Sequence, residues 1–130
     1  MKDFKKAFEA IDSNFDAFKF ENVLRSALKI HGCQESMIIN MEELSELTQA
    51  ISKQLRNQGD YYNLVEEIAD VIISIHFLKY QYNIPREDIL KAINVKIDRI
   101  DKRNKEIVKT KSRKTYSFYM AKHDIKCERR

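Results

Sequence analysis

The sequence predicts an all-α protein: a four-helix antiparallel bundle-like core, a short N-terminal helix and a basic C-terminal tail. Three observations carry that expectation. The 130 residues include only 2 Gly and 1 Pro, too little punctuation for the many turns of a β protein. Apolar residues recur at intervals of three and four over most of the chain, the period of a helix face. Hydrophobic residues make up 43%, enough for one modest core in a chain of single-domain length.

Phe4, Phe8, Ile11, Phe15 and Phe18 repeat at three and four and suggest the short N-terminal helix. Phe20, Val23, Leu24, Ala27 and Leu28 then form a clean stripe that stops near His31-Gly32, where glycine suits a helix C-terminus. A further helix is expected from Gln34 or Glu35 to Arg56, on the stripe Met37, Met41, Leu44, Thr48, Ile51 and Leu55. Asn57-Gln58-Gly59-Asp60 breaks it, and Asp60 can cap the helix after the break. That next helix, about Tyr61 to Tyr82, uses Leu64, Ile68, Val71, Ile75 and Leu78. Pro85 opens the last helix, with Glu87 and Asp88 favourably placed against its dipole and Ile89, Leu90, Ile93, Ile97 and Ile100 as its stripe. Beyond about Arg103 the pattern decays, so a helical domain over 1–103 and a tail over 104–130 are expected. The tail's polar run Lys109 to Lys114 precedes Tyr116, Phe118, Tyr119 and Met120, which can dock on a surface or a partner subunit.

The net charge of +4 conceals an asymmetry. Residues 101–130 hold 11 Lys/Arg against 4 Asp/Glu, whereas residues 1–100 hold 13 against 16. A mildly acidic body weakens a nucleic-acid role for the whole domain and confines that reading to the tail. Cys33 and Cys127 form no CxxC pair, which suggests reduced thiols and a cytoplasmic location. No stretch approaches the roughly 18 apolar residues of a membrane span, so no membrane partner is expected.

Two short acidic words carry the chemistry. Glu42-Glu43-Leu44-Ser45-Glu46 and Glu66-Glu67-Ile68-Ala69-Asp70 each read as two acids, two spacers and an acid. Residues i and i+3 share a helix face, so Glu43 points with Glu46, and Glu67 with Asp70. Taken singly, either pair reads as a solvated helix face. Taken together, on adjacent antiparallel helices, they bring four carboxylates to one seam. Their mutual repulsion raises each pKa, and a hard dication such as Mg²⁺ or Mn²⁺ relieves it. No His stands at i+3 from any of these acids, which argues against a di-iron site of the Glu-x-x-His kind. Mg²⁺ leaves positions open for water and phosphate oxygens, so a phosphorylated substrate is expected.

The ExxE, hairpin-length gap and ExxD, with the local words EELSELTQAISK and EEIADVIISI and the later Asn94-Val95-Lys96, resemble the all-α nucleoside triphosphate pyrophosphohydrolases of the MazG type. The resemblance covers about residues 25–103. It implies a Mg²⁺-dependent enzyme (Mn²⁺ a substitute) that cleaves a (d)NTP to a (d)NMP and pyrophosphate, and it implies a homodimer or homotetramer. By matching position, Glu43, Glu46, Glu67 and Asp70 are its expected catalytic and metal-holding residues, and Asn94 and Lys96 hold phosphate oxygens. Glu42 and Glu66 are further candidates for the general base. The chain departs from some members in having no Trp, so base stacking falls to Phe or Tyr, and the resemblance does not account for the basic tail.

Position singles out a few other residues. Asn40 stands one turn before Glu43 and can hydrogen-bond a ligand or a carboxylate of the site. Ser74 and Phe77 lie one and two turns beyond Asp70 on its face and are candidates to line a base pocket. His31 reads as a helix-end residue and His76 as a surface or interface group. The competing function is a helical nucleic-acid-binding or regulatory module whose tail contacts phosphates; a silent homologue that only binds nucleotides is a third.

Overall fold

The computed structural model describes residues 2–110 and contains no strand among them: α1 Lys2–Ala10, α2 Ala17–Leu55, α3 Tyr61–Gln81 and α4 Arg86–Thr110. Tail residues 111–130, with the aromatic segment 115–120 and Cys127, lie outside the described residues. The chain divides into two units, 1–85 and 86–130. No helix among the described residues is long and apolar enough to cross a membrane.

Local chemistry sets each boundary. The N-terminal aromatic repeat does not run as one helix to Phe18. α1 stops at Ala10, Asp12 accepts a hydrogen bond from the Asn14 N–H at 2.9 Å, and Asp16 then caps α2 by accepting from the Lys19 N–H at 2.9 Å. Side-chain oxygens that bond nearby backbone compete with helix continuation. Asp60 caps α3 as its position implies, accepting from the Asn63 N–H. α2 and α3 both end on an asparagine in the left-handed region, Asn57 (φ 57°) and Asn83 (φ 50°). The Gln58 N–H reaches Lys53 O at 2.9 Å and the Ile84 N–H reaches Lys79 O at 2.9 Å, the six-to-one bond of a Schellman ending. α4 begins at Arg86, just after Pro85, with Glu87 and Asp88 in its first turn. It continues past Arg103 to Thr110, supported by the Lys105–Asp101 pair at i,i+4, although the apolar period has faded there.

Gly32 is where two expected helices become one interrupted element. Its φ of 79° and ψ of 175° break α2 without a loop, and the Ser36 hydroxyl donates to Gly32 O at 2.7 Å just beyond. Both stretches of α2 meet α3. Before the break, Phe20 packs edge-on against His76 at 5.0 Å and Arg25 lies over the Tyr80 ring at 4.4 Å. After it, the Gln81 amide donates to Cys33 O at 3.3 Å and the Tyr82 hydroxyl meets Met37 Sδ at 3.1 Å. At the opposite end Gln54 reaches Asp60 O at 3.4 Å. The stretch after Gly32 and α3 are therefore antiparallel. α1 joins the start of α3 through Phe8 and Glu9 on Tyr62.

The face that α2 turns inward differs from the one its apolar spacing predicts. Ser36, Asn40 and Ala50 are buried, with Ile39, Glu43 and Leu47 half-buried, whereas Met37, Met41, Leu44, Ile51 and Leu55 are exposed. α3 repeats this: Glu67 and Ser74 are buried and Ile68, Ile72 and Ile75 exposed, with Leu64, Val71 and Leu78 half-buried. Only Leu24 and Ala50 are buried apolar residues among those described. Periodicity gives the angular position of a stripe but not the direction in which it faces. Small side chains at Ser36, Ala50 and Ser74 occupy the inner positions instead.

Gly32 offers a direct check. An added Cβ would meet nothing within 4 Å, so any cost of Gly32→Ala is backbone strain alone, about 1–3 kcal/mol for a conformation that is essentially glycine-only. Denaturant unfolding should show that loss; an unchanged midpoint would mean that the break does not need this conformation.

Candidate metal centre

The hairpin's end caps fix the register, and the register brings the acids together. Glu43 and Glu46 come from α2 and Glu67 from α3, and one carboxylate oxygen of each lies within 4.8 Å of the other two. Glu67 is buried, Glu43 half-buried and Glu46 exposed, so the cluster opens to solvent on one side. Asp70, one turn along α3 and half-buried, lies outside that trio but is electrically coupled to it.

Burial and crowding push three of these carboxyls above the usual carboxylate range. For Glu43 burial is the largest cause, followed by the charges of Asp70, Glu46, Glu67 and Glu42. For Glu67 burial again leads, followed by Glu46, and Asp70 and Glu66 add to it. Asp70 is raised by burial and then by Glu46. One interaction opposes the trend: Asn63 donates from Nδ2 to Glu67 Oε1 at 2.8 Å. Glu67 Oε2 is buried without a hydrogen-bond partner. The ion pairs among the described residues (Lys5–Glu9, Arg25–Glu21, His31–Glu35 and Lys105–Asp101) include none of these acids.

Such a donor set suits a hard dication. All its atoms are carboxylate oxygens, the preferred ligands of Mg²⁺ and Mn²⁺, and the orphaned Oε2 lacks what a cation provides. Two oxygens on one Mg²⁺ lie at most about 4.2 Å apart, so a spread of up to 4.8 Å is a fraction of an ångström from what one ion needs.

The remaining sequence candidates are spread over both units. Asn40 is buried, on the inward face one turn before Glu43. Ser74 is buried and Phe77 half-buried on the face of Glu67 and Asp70. Glu66 is half-buried and Glu42 exposed. Asn94 and Lys96 are exposed on α4, in the second unit. His76 is half-buried against Phe20 rather than a surface group; burial and then Lys79 push its pKa down. His31 is exposed beside the break and faces Glu35 at 3.4 Å. Asn63 is the residue that sequence reading missed. Its signal was there to find: it stands four before Glu67, hence on the same face. Two shallow depressions flank Gly32, one along His31 to Glu35 and Ile38, the other along Asn22 to His31, and neither includes the acids of the cluster.

The chain matches no protein-family model, no curated protein and no solved structure.

Raised carboxyl pKa values fix a sign. The folded state binds protons more tightly than the unfolded chain, so stability grows as pH falls through the raised values and is lost as pH climbs above them. Without added metal, the cluster should favour the folded state more at about pH 5 than at about pH 8. His76, with its lowered pKa, works in the opposite direction, so the cluster's part is read as the difference between the wild type and a cluster variant. In unfolding measurements Glu67→Gln should lose part of the advantage at the lower pH; an equal pH dependence in the variant would mean that the cluster is not its source.

Proposed function

We propose that the chain is a Mg²⁺-dependent nucleoside triphosphate pyrophosphohydrolase whose site is the carboxylate cluster of α2 and α3. The observation that carries this reading is the convergence of Glu43, Glu46 and Glu67 within 4.8 Å, with Oε2 of the buried Glu67 lacking a partner. The substrate class comes from the resemblance of the two acidic words and Asn94-Val95-Lys96 to the MazG type.

In this reading Glu43, Glu46 and Glu67 hold the cation, with Asp70 entering from the next turn. Bound there, Mg²⁺ (or Mn²⁺) neutralises phosphate charge and polarises the phosphorus–oxygen bonds. The carboxylates orient a water and one of them accepts its proton. The water oxygen bonds to the α phosphorus, the bond from that phosphorus to the bridging oxygen breaks, and pyrophosphate leaves with the electron pair. Glu66 is half-buried and Glu42 exposed, so of the two Glu66 is the candidate base better shielded from bulk water.

The same reading includes a homo-oligomer. Met37, Met41, Leu44 and Ile51 on α2, and Ile68, Ile72 and Ile75 on α3, are exposed, while the buried apolar core of the described residues is two side chains. A second copy that covers those stripes supplies the burial that a small chain lacks.

Three measurements test the proposal. Incubation with a dNTP panel and Mg²⁺ should release pyrophosphate, and chelation or Glu67→Gln should cut the rate by about 100-fold or more. Salt-sensitive RNA or DNA binding without pyrophosphate would instead support the tail-based module. Added Mg²⁺ should raise the melting temperature more at about pH 8 than at about pH 5, because protons compete for the same oxygens; no metal effect at either pH would sink the metal site. Light scattering at roughly micromolar concentration should give a dimer or larger, and a monomer would refute the assembly.

A further inference from the structure

Asn40 is a deeply buried residue of the seam whose side-chain amide has no partner. It is 3% exposed, and both its Oδ1 and its Nδ2 are buried with no hydrogen bond. Its neighbours on the inward faces are served locally: Ser36 donates to Gly32 O and Asn63 to Glu67. Buried amides are normally paired, and one with both ends unpaired calls for an explanation.

The chain direction says where Asn40 sits relative to the acids. The stretch after Gly32 runs antiparallel to α3, with Cys33 at Gln81 and Gln54 at Asp60. Going from Glu46 to Glu43 to Asn40 along α2 therefore matches going from Glu67 to Asp70 and on to Ser74 and Phe77 along α3. Asn40, buried Ser74 and half-buried Phe77 lie on the same side of the acid cluster. With phosphates at the carboxylates, a nucleoside that extended to that side would meet Asn40.

The chemistry of the orphaned amide selects the part of the ligand. A phosphate offers acceptors alone and would leave Oδ1 unserved; a cation would take Oδ1 and leave Nδ2. An edge with a donor beside an acceptor satisfies both atoms, and nucleobases present such edges to Asn side chains in bidentate fashion. We infer that Asn40 is a specificity-determining residue that pairs with the base edge of the nucleotide; this rests on the pyrophosphohydrolase reading above.

Asn40→Leu keeps the size and removes both hydrogen-bonding ends, and Asn40→Asp keeps the shape and removes the donor. The full-length chain and both variants are tested for kcat/KM on dATP, dGTP, dCTP, dTTP and dUTP, for Mn²⁺ binding by calorimetry, and for melting temperature and oligomeric state without nucleotide. The wild type should prefer some bases, and both variants should flatten that preference by roughly 10-fold, while in the uncharged Asn40→Leu Mn²⁺ affinity and oligomeric state stay as in the wild type. Because the free amide is unserved, Asn40→Leu should melt no lower than the wild type. A preference unchanged in both variants overturns the inference, as does a lower melting temperature or an altered oligomer in Asn40→Leu, the marks of a structural amide. Wild-type turnover with intact Mn²⁺ binding but no role for Asn40 removes this inference alone. Failure of the wild type to bind Mn²⁺ or to turn over any dNTP removes both.

Discussion

Two helices confine several carboxylates to a space where their charges cannot be ignored. Unit charges 4.8 Å apart repel by about 3 kcal/mol at an effective dielectric of about 20, and by less where Glu46 faces water. A small domain is stable by only about 5–15 kcal/mol in total, so each such pair weighs on the fold. The hairpin does not escape by splaying. Asp60 starts α3, Asn57 and Asn83 close the ends of α2 and α3, and Gln81–Cys33 with Gln54–Asp60 hold the two extremities. The register is imposed by caps and ends, and the repulsion is tolerated in the middle. This repulsion, held in place by ordinary helix chemistry, gives the seam a negative potential.

The same seam explains why the apolar residues are outside. If acids, an amide and small hydroxyls take the inward positions, the large apolar side chains at Met41, Leu44, Ile51, Ile68, Ile72 and Ile75 must face away. Such a hairpin has its polar face already packed and its apolar face still to be covered, the reverse of the usual surface helix. Its inward face is thus largely polar, and further apolar burial has to come from the opposite side.

Element boundaries were legible because single residues determine them. Asp60, Gly32 and Pro85 each act through a local mechanism visible in the sequence, and the structure places helix starts or breaks at or beside them. Of the four acids expected to meet, Glu43, Glu46 and Glu67 come together and Asp70 lies outside that trio. The i,i+3 spacing gives the face each pair shares on its own helix, and the register between the helices does the rest. The inward face was not legible. Met37 to Leu55 is a valid amphipathic stripe, but a stripe is attracted to any apolar surface, and sequence does not say whether that surface belongs to its own chain. The continuation of α4 to Thr110 escaped for a different reason: charged residues such as Asp101 and Lys105 support a helix by i,i+4 pairing without leaving an apolar period. The end of α1 was hidden by the Phe repeat, which continues in phase through Ile11 and Phe15 while Asp12 and Asp16 redirect the backbone.

Among the described residues, the buried side-chain polar atoms without a partner belong to Asn40, Glu67, His76 and Gln81. Ser36 bonds the carbonyl at the helix break, and Asn63 bonds Glu67; each is fully explained by keeping the hairpin in shape. Glu67 Oε2 and the Asn40 amide are buried at the same seam with nothing to bond, and their needs differ. A carboxylate oxygen accepts only, so in a crowd of like charges it is served by a cation. An amide both donates and accepts, so a neutral edge serves it and an ion does not. A ligand that answers both must carry metal-bound charge at one end and a neutral hydrogen-bonding edge about one helical turn or more away. A triphosphate with its cation, joined through a sugar to a base, has that polarity built into its covalent structure, whereas inorganic phosphate or free pyrophosphate has only the first half.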